Sequence, residues 1–196
     1  MRRTDDRLFR LVAVGVSTGG VAALKSLLGE LPDDFPLPLL VVAHISPEAD
    51  DGLALLLDGC CPLRVKEADD HETARAGTVY LAPANYHLLV SRDGVLSLSV
   101  DPPVHYARPS VDVLFESAAA ACGPALVGIV LTGAGCDGSA GLLAIRQRGG
   151  LTIVQDPADA EMDAMPRSAL QLLQPDHVLA LKEIPGLLRR LAPRKP

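Results

Sequence analysis

Four uninterrupted aliphatic runs recur along the chain: LVAVGV (11–16), PLLVVAH (38–44), ALVGIVLTG (125–133) and LTIVQD (151–156). An apolar run of this length without polar alternation is the mark of a strand whose sheet is covered on both faces. Segments with apolar residues at helical spacing lie between and after the runs, over 21–31, 49–60, 109–123, 135–150 and 165–173. Their ends carry the expected stops. Gly29 and Pro32 close the first, Ser110 stands where it can cap the third, and Pro166 falls in the first turn of the last. Strands alternating with helices predict one α/β domain, doubly wound, with a mainly parallel sheet and helices on both faces. Between 60 and 105 the alternation breaks. LRVKEA and TVYLAP read as shorter strands, and HLLVS and VLSLSV flank Asp93–Gly94 as an antiparallel hairpin, expected at an edge of the sheet. HVLAL and IPGLLRRLA end the series.

Composition narrows what such a domain does. With 48% hydrophobic and 21% charged residues among 196, the chain can bury a sizeable core, and disorder is excluded. Aromatics are 3% with no Trp, so there is no platform for stacking bases. The net charge is −6, and Lys and Arg gather only in the terminal segments MRRTDDRLFR and RRLAPRKP, so nucleic acid is not an expected partner. No apolar run reaches the roughly 18 residues of a membrane helix. No signal segment opens the chain, and a cytoplasmic location without membrane insertion is expected. Cys60, Cys61, Cys122 and Cys136 form no C-x-x-C and are expected as free, buried thiols. The five histidines lack paired ligand spacing, and neither metal nor other cofactor is expected.

In an open parallel sheet, ligands sit beyond the carboxyl ends of the strands. Those positions hold Ser17 and Thr18 after the first run, His44 after the second, and Gly133 to Asp137 after the third. Ser17 lies in G-V-S-T-G, which matches G-x-S-x-G: a tight turn that exposes the hydroxyl and points the next helix's N–H groups at an oxyanion. His44 is placed to act as its base, and Asp137 to orient the imidazole. Each residue alone has a plain structural reading, as a helix cap, a hydrogen-bonded core histidine and a helix-terminal acid. Their coincidence at neighbouring strand ends favours catalysis. The chain order Ser…His…Asp differs from that of the α/β-hydrolases. A thiol nucleophile at Cys136, an anion- or nucleotide-binding turn at GVSTGG, and a non-catalytic scaffold are the competing readings.

VAVGVSTGGVAALKSLL, VVAHIS, VYLAPANYHL, YARPSVDVLFES, GIVLTGAGCDGSAGLLAIRQRGG and TIVQDPADAEMDAMPRSAL together resemble the catalytic domain of the CheB family, the chemotaxis protein-glutamate methylesterases. The likeness runs from about Leu11 to Leu191. It implies hydrolysis of glutamyl methyl esters on cytoplasmic chemoreceptor helices, with deamidation of receptor glutamines, and it matches the family's triad to Ser17, His44 and Asp137. It also implies an oxyanion and substrate site around Thr18, Gly19, Gly133, Ala134 and Gly135. Arg108, in ARPS, is expected to contact an acidic receptor helix or the neighbouring polar loops. Ala134 stands where the family commonly has methionine, Cys136 where it has a polar residue, Ala43 where glutamine is usual, and Ser46 where proline is frequent. On this reading residues 1–10 are an extension and 11–193 the methylesterase domain. No receiver domain is expected, and control falls to a separate regulatory protein.

Overall fold

A computed structural model describes residues 8–44 and 52–192. In chain order the elements are β1 (Leu11–Val16), α1 (Gly20–Gly29), β2 (Leu39–Ala43), α2 (Gly52–Asp58), β3 (Arg64–Glu67), β4 (Thr78–Leu81), β5 (His87–Val90), β6 (Leu96–Ser99), α3 (Val111–Cys122), β7 (Leu126–Val130), α4 (Ser139–Gln147), β8 (Leu151–Gln155), α5 (Ala164–Leu172), β9 (His177–Leu179) and α6 (Ile184–Leu191). The four aliphatic runs are β1, β2, β7 and β8, as their patterns predict. Residues 49–51 of the second predicted helix, and Ser46, lie outside the described residues.

Seven strands form one parallel sheet in the order β3-β4-β2-β1-β7-β8-β9. Alternate residues of β1 serve opposite layers. Val12, Val14 and Val16 join a core with Leu24, Leu27 and Leu28 of α1, Leu57 of α2 and Leu188 of α6. Leu11 and Ala13 face the other way, toward Leu114 and Phe115 of α3, Leu142 of α4 and Met165 of α5. Each fully buried aliphatic side chain stabilises the fold by about 1.5–3 kcal/mol, which is why unbroken apolar runs fill the centre of the sheet.

Two expectations are corrected. The hairpin β5–β6 does not extend an edge of the main sheet. It is a separate two-stranded sheet whose strands pair with each other, and β5 lies along α3. Its buried Leu88, Val90 and Leu96 share a core with Leu114 and Ala118 of α3, so covering that helix satisfies them better than lengthening an edge. The cysteines are free but not buried as a set. Cys60 and Cys136 are exposed and Cys61 and Cys122 are half-buried, because they fall in turns and at helix ends.

The chain begins in the middle of the sheet. From β1 it winds outward through α1 to β2 and through α2 to the edge strand β3, then steps back to β4 between them; from β7 it winds the opposite way through α4 to β8 and α5 to β9. The reversal opens a crevice beyond the carboxyl ends of β1 and β7, where neighbouring connections diverge.

Candidate active site

Strand register brings two of the predicted residues, Ser17 and His44, side by side. Val16 pairs with Ala43, so Ser17 and His44 are the next residues on adjacent parallel strands, whose spacing is about 5 Å. His44 continues the ladder by donating its N–H to the Val16 carbonyl at 3.1 Å. On the other flank the Ser17 N–H donates to the Thr132 carbonyl at 3.0 Å, carrying the β1–β7 pairing one step further. Ser17 thus stands between the ends of β2 and β7, half-buried at the mouth of the crevice.

Asp137 is held more firmly than any other charged group at the site. It is 4% exposed. Its Oδ2 accepts from His44 Nε2 at 2.8 Å and from the Val111 N–H at 2.7 Å. Its Oδ1 accepts from Ser110 Oγ at 2.9 Å and from the Asp112 N–H at 3.0 Å. Burial by itself would raise the carboxyl's pKa. The donors, His44 foremost, outweigh it and hold Asp137 below the usual carboxylate range. Two of those donors are the first N–H groups of α3, so the carboxylate also sits where the helix dipole favours an anion. With Nε2 committed to Asp137, His44 has Nδ1 left as the ring nitrogen that can take up a proton.

The serine turn is shaped by two glycines. Gly19 caps α1 at φ 79°, and a Cβ there would meet Glu161 Oε2 at 2.8 Å. Gly133 allows the tightest approach: a Cβ on it would lie 2.1 Å from Met165 Sδ and 2.8 Å from Ser17 Cβ. Its N–H donates to the Met162 carbonyl at 2.9 Å. Gly133 therefore makes room for the serine and has no donor to spare for an oxyanion, which corrects its expected place among the donors. Thr18 is exposed and its carbonyl accepts from Thr132 Oγ1 at 2.9 Å. Among the bonds of the described residues, none engages the N–H of Thr18 or Gly19. Ala134 and Gly135 are exposed, and with His44, His105, Cys136 and Asp137 they line a cavity of about 300 Å³ over the His44–Asp137 pair. Arg108 stands apart from that lining. Its Nη1 donates to the carbonyls of Val100 at 2.7 Å and Asp101 at 3.1 Å, which realises the contact with neighbouring loops. A larger cavity, about 620 Å³, lies around Leu170–Asp176 and contains none of these groups. Among the described residues, no three His, Cys, Asp or Glu side chains converge as metal ligands.

Sequence reasoning missed four contributors. Ser110 caps α3 as expected, accepting from the Val113 N–H, but its hydroxyl hydrogen goes to Asp137. Asp112 accepts from the Gly141 N–H at 2.7 Å, and burial, reinforced by the negative charge of Asp137, pushes its carboxyl up to about 6. Thr132 Oγ1 reaches the Thr18 and Met162 carbonyls and accepts from the Met162 N–H, tying the serine turn to the 156–163 loop. Gln155 Oε1 accepts from the Thr132 N–H at 2.8 Å. A polar residue ending an apolar run was the available signal for Thr132 and Gln155. Nothing local marked the bond from Ser110 to Asp137 or that from Gly141 to Asp112, each of which spans more than 20 residues.

Comparison with known proteins gives a consistent result. Residues 12–188 match the CheB methylesterase family. A Leptospira interrogans protein, provisionally named protein-glutamate methylesterase/protein-glutamine glutaminase, is 43% identical over 183 residues, covering 93% of this chain and 95% of its own. The protein-glutamate methylesterase/protein-glutamine glutaminase of Paraburkholderia xenovorans is 43% identical over 178 residues, 89% of this chain. This chain spans 49% of that longer relative. The crystal structure of the Thermotoga maritima CheB methylesterase catalytic domain superposes with a TM-score of 0.90 at 34% identity, covering 94% of this chain and 99% of that one.

Proposed function

The chain belongs to the CheB methylesterase family, and from that premise we propose that it hydrolyses glutamyl methyl esters on chemoreceptor-type proteins by acyl transfer through Ser17. The observation that carries this reading is the His44–Asp137 hydrogen bond of 2.8 Å, held at the strand end beside the serine. Ser17 Oγ attacks the ester carbonyl carbon as His44 Nδ1 takes the hydroxyl proton. Asp137, ionised and saturated with donors, keeps the ring oriented and offsets the imidazolium charge. The N–H groups of Thr18 and Gly19, at the start of α1, receive the oxyanion, with Ala134 and Gly135 closing the opposite wall. Donors of this kind are typically worth about 3–4 kcal/mol each. The bond between the acyl carbon and the methoxy oxygen breaks, His44 gives its proton to that oxygen, and methanol leaves. Water, deprotonated by the same histidine, then releases the glutamate. A glutamine side chain passes through the same steps with ammonia as leaving group, which accounts for the second activity in the relatives' names.

In this reading residues 11–193 are the catalytic domain, the partners are cytoplasmic helices of methyl-accepting receptors, and a separate protein regulates access. A cytoplasmic location suits that partner, and no helix among the described residues is long and apolar enough to cross a membrane. Methanol release from a methylated receptor cytoplasmic fragment tests the proposal. Ser17→Ala and His44→Ala should each lower kcat by about 10⁴-fold or more. Full release by either variant would refute the mechanism.

A further inference from the structure

The loop that follows β8 brings a carboxylate to the serine turn. A Cβ on Gly19 would meet Glu161 Oε2 at 2.8 Å and Glu161 Cβ at 2.9 Å, so this acidic side chain lies along the Cα of Gly19. The amide nitrogen bonded to that carbon is one of the two donors that the proposed mechanism gives to the oxyanion. The next residue fixes the position. Met162 donates its N–H to Thr132 Oγ1 at 2.9 Å and accepts from the Gly133 N–H at 2.9 Å, while Thr132 Oγ1 also reaches the Thr18 carbonyl at 2.9 Å. Glu161 and the serine turn are thus carried on one hydrogen-bonded unit. Glu161 is exposed, and no hydrogen bond or ion pair engages its carboxylate among the described residues. Helix α1 has no acidic residue in its own first turn, so Glu161 brings negative charge to that end from another element.

We infer that Glu161 is a specificity-determining residue, which admits neutral ester and amide side chains and repels the glutamate carboxylate that the reaction leaves behind. The inference rests on the methylesterase reading. Free N–H groups at the start of a helix attract any anion, and hydrolysis makes one in their reach. The ester and the amide enter uncharged, whereas the product carries a full negative charge into the same place. The transition state differs from the product in one respect. Its oxyanion forms together with the imidazolium of His44, so the net charge of the site does not change. A carboxylate beside Gly19 therefore opposes the bound product more than the transition state. An anion near a helix N-terminus also stabilises the helix, but that contribution does not depend on the charge of the substrate.

The test measures methanol release from a methylated receptor cytoplasmic fragment, with the same fragment carrying unmodified glutamate as the competitor. The readout is the ratio of Ki for the glutamate form to KM for the ester form, in wild type, Glu161→Gln and Glu161→Lys. Gln keeps the shape of the side chain and removes its charge; Lys reverses the charge. The ratio should fall about fivefold in Glu161→Gln, the scale on which two unit charges a few ångström apart interact near solvent, and further in Glu161→Lys. In about 1 M NaCl the wild-type ratio should fall toward that of Glu161→Gln, because an exposed charge is screened. A weakened helix or a general change in binding moves Ki and KM together and leaves the ratio alone. A ratio equal in wild type and both variants overturns the inference and leaves the esterase reading standing. No methanol release by the wild-type protein overturns both.

Discussion

Two aspartates 25 residues apart respond to the same neighbourhood in opposite directions. Asp137 is buried but given four donors, so its pKa falls; Asp112 is buried with fewer, so its pKa rises from 3.8 to about 6. The linkage signs follow. Asp137 contributes stability that is present above its unfolded pKa and is lost as pH falls through its lower folded value. Asp112 binds a proton more tightly when folded, so between about pH 4 and 6 the unfolded state holds fewer protons and stability declines as pH rises. That decline amounts to at most about 3 kcal/mol, at 1.36 kcal/mol per unit. Asp112→Asn keeps an oxygen for the Gly141 N–H and removes the charge. Urea midpoints at pH 4.5 and 7 should then be nearly equal for the variant, while those of the wild type fall; parallel slopes would refute the assignment. Gly133 permits a second prediction at this scale. Gly133→Ala puts a methyl group where Met165 Sδ and Ser17 Cβ already stand. The sulfur can yield, but the serine Cβ is fixed to its backbone. We expect a loss of about 1–3 kcal/mol from overpacking and, since a displacement near 1 Å at the reacting group costs on this order, about a 10²-fold fall in kcat. A kcat unchanged from wild type would show that the serine turn accommodates the methyl.

Helices α3 and α4 exchange caps. Asp137, just before α4, accepts the N–H groups that open α3, and Asp112, in the first turn of α3, accepts the N–H of Gly141 in α4. Each carboxylate satisfies donors that its own helix cannot reach. Asp137, the orienting acid of the proposed mechanism, is thus also a strut between two elements, and substitutions there carry a stability cost apart from any effect on catalysis. Ser110 separates the two effects. Ser110→Ala removes the N-cap of α3 and one donor to Asp137 while leaving the His44 bond in place. The expected cost is about 1–2 kcal/mol by urea unfolding, with kcat reduced far less than by Ser17→Ala; a kcat loss equal to that of Ser17→Ala would make Ser110 part of the chemistry. This exchange is also where sequence reading ran out. Ser17, His44 and Asp137 were legible because each follows an apolar run, and parallel pairing puts run ends side by side. The cap exchange joins side chains to backbone groups across 25 to 29 residues, a relation that no spacing rule expresses. Cys136 was misjudged for a related reason: composition favours buried thiols, whereas the turn into α4 places this one at the cavity rim.

At the scale of the molecule, the reversal of winding between β1 and β7 makes the site a property of the sheet's centre. Strands buried on both faces announced themselves in the sequence, and with them the class of fold. The hairpin's position was less legible, because alternating apolar residues say that one face is covered and not by what. This division has a consequence for local stability. β1 and β7 lie within a seven-stranded ladder between two core layers, whereas β5 and β6 pair through four residues each and rest on α3. A two-stranded ribbon is marginal by itself, and units with fewer surrounding contacts open before the whole molecule does. In native-state hydrogen exchange, the amides of Val14 and Ile129 should therefore exchange only through global unfolding. Those of Leu89 and Ser97, which face each other across the hairpin, should exchange through a smaller opening with weaker urea dependence. Because Ser17, His44 and Asp137 are anchored to the central ladder and to α3's first turn, catalysis should survive that partial opening and vanish with global unfolding. Urea titrations followed by methanol release and by far-ultraviolet circular dichroism should then share one midpoint. Activity lost well before the circular dichroism signal, at the urea concentration that opens the hairpin, would show instead that the ribbon supports the site through α3.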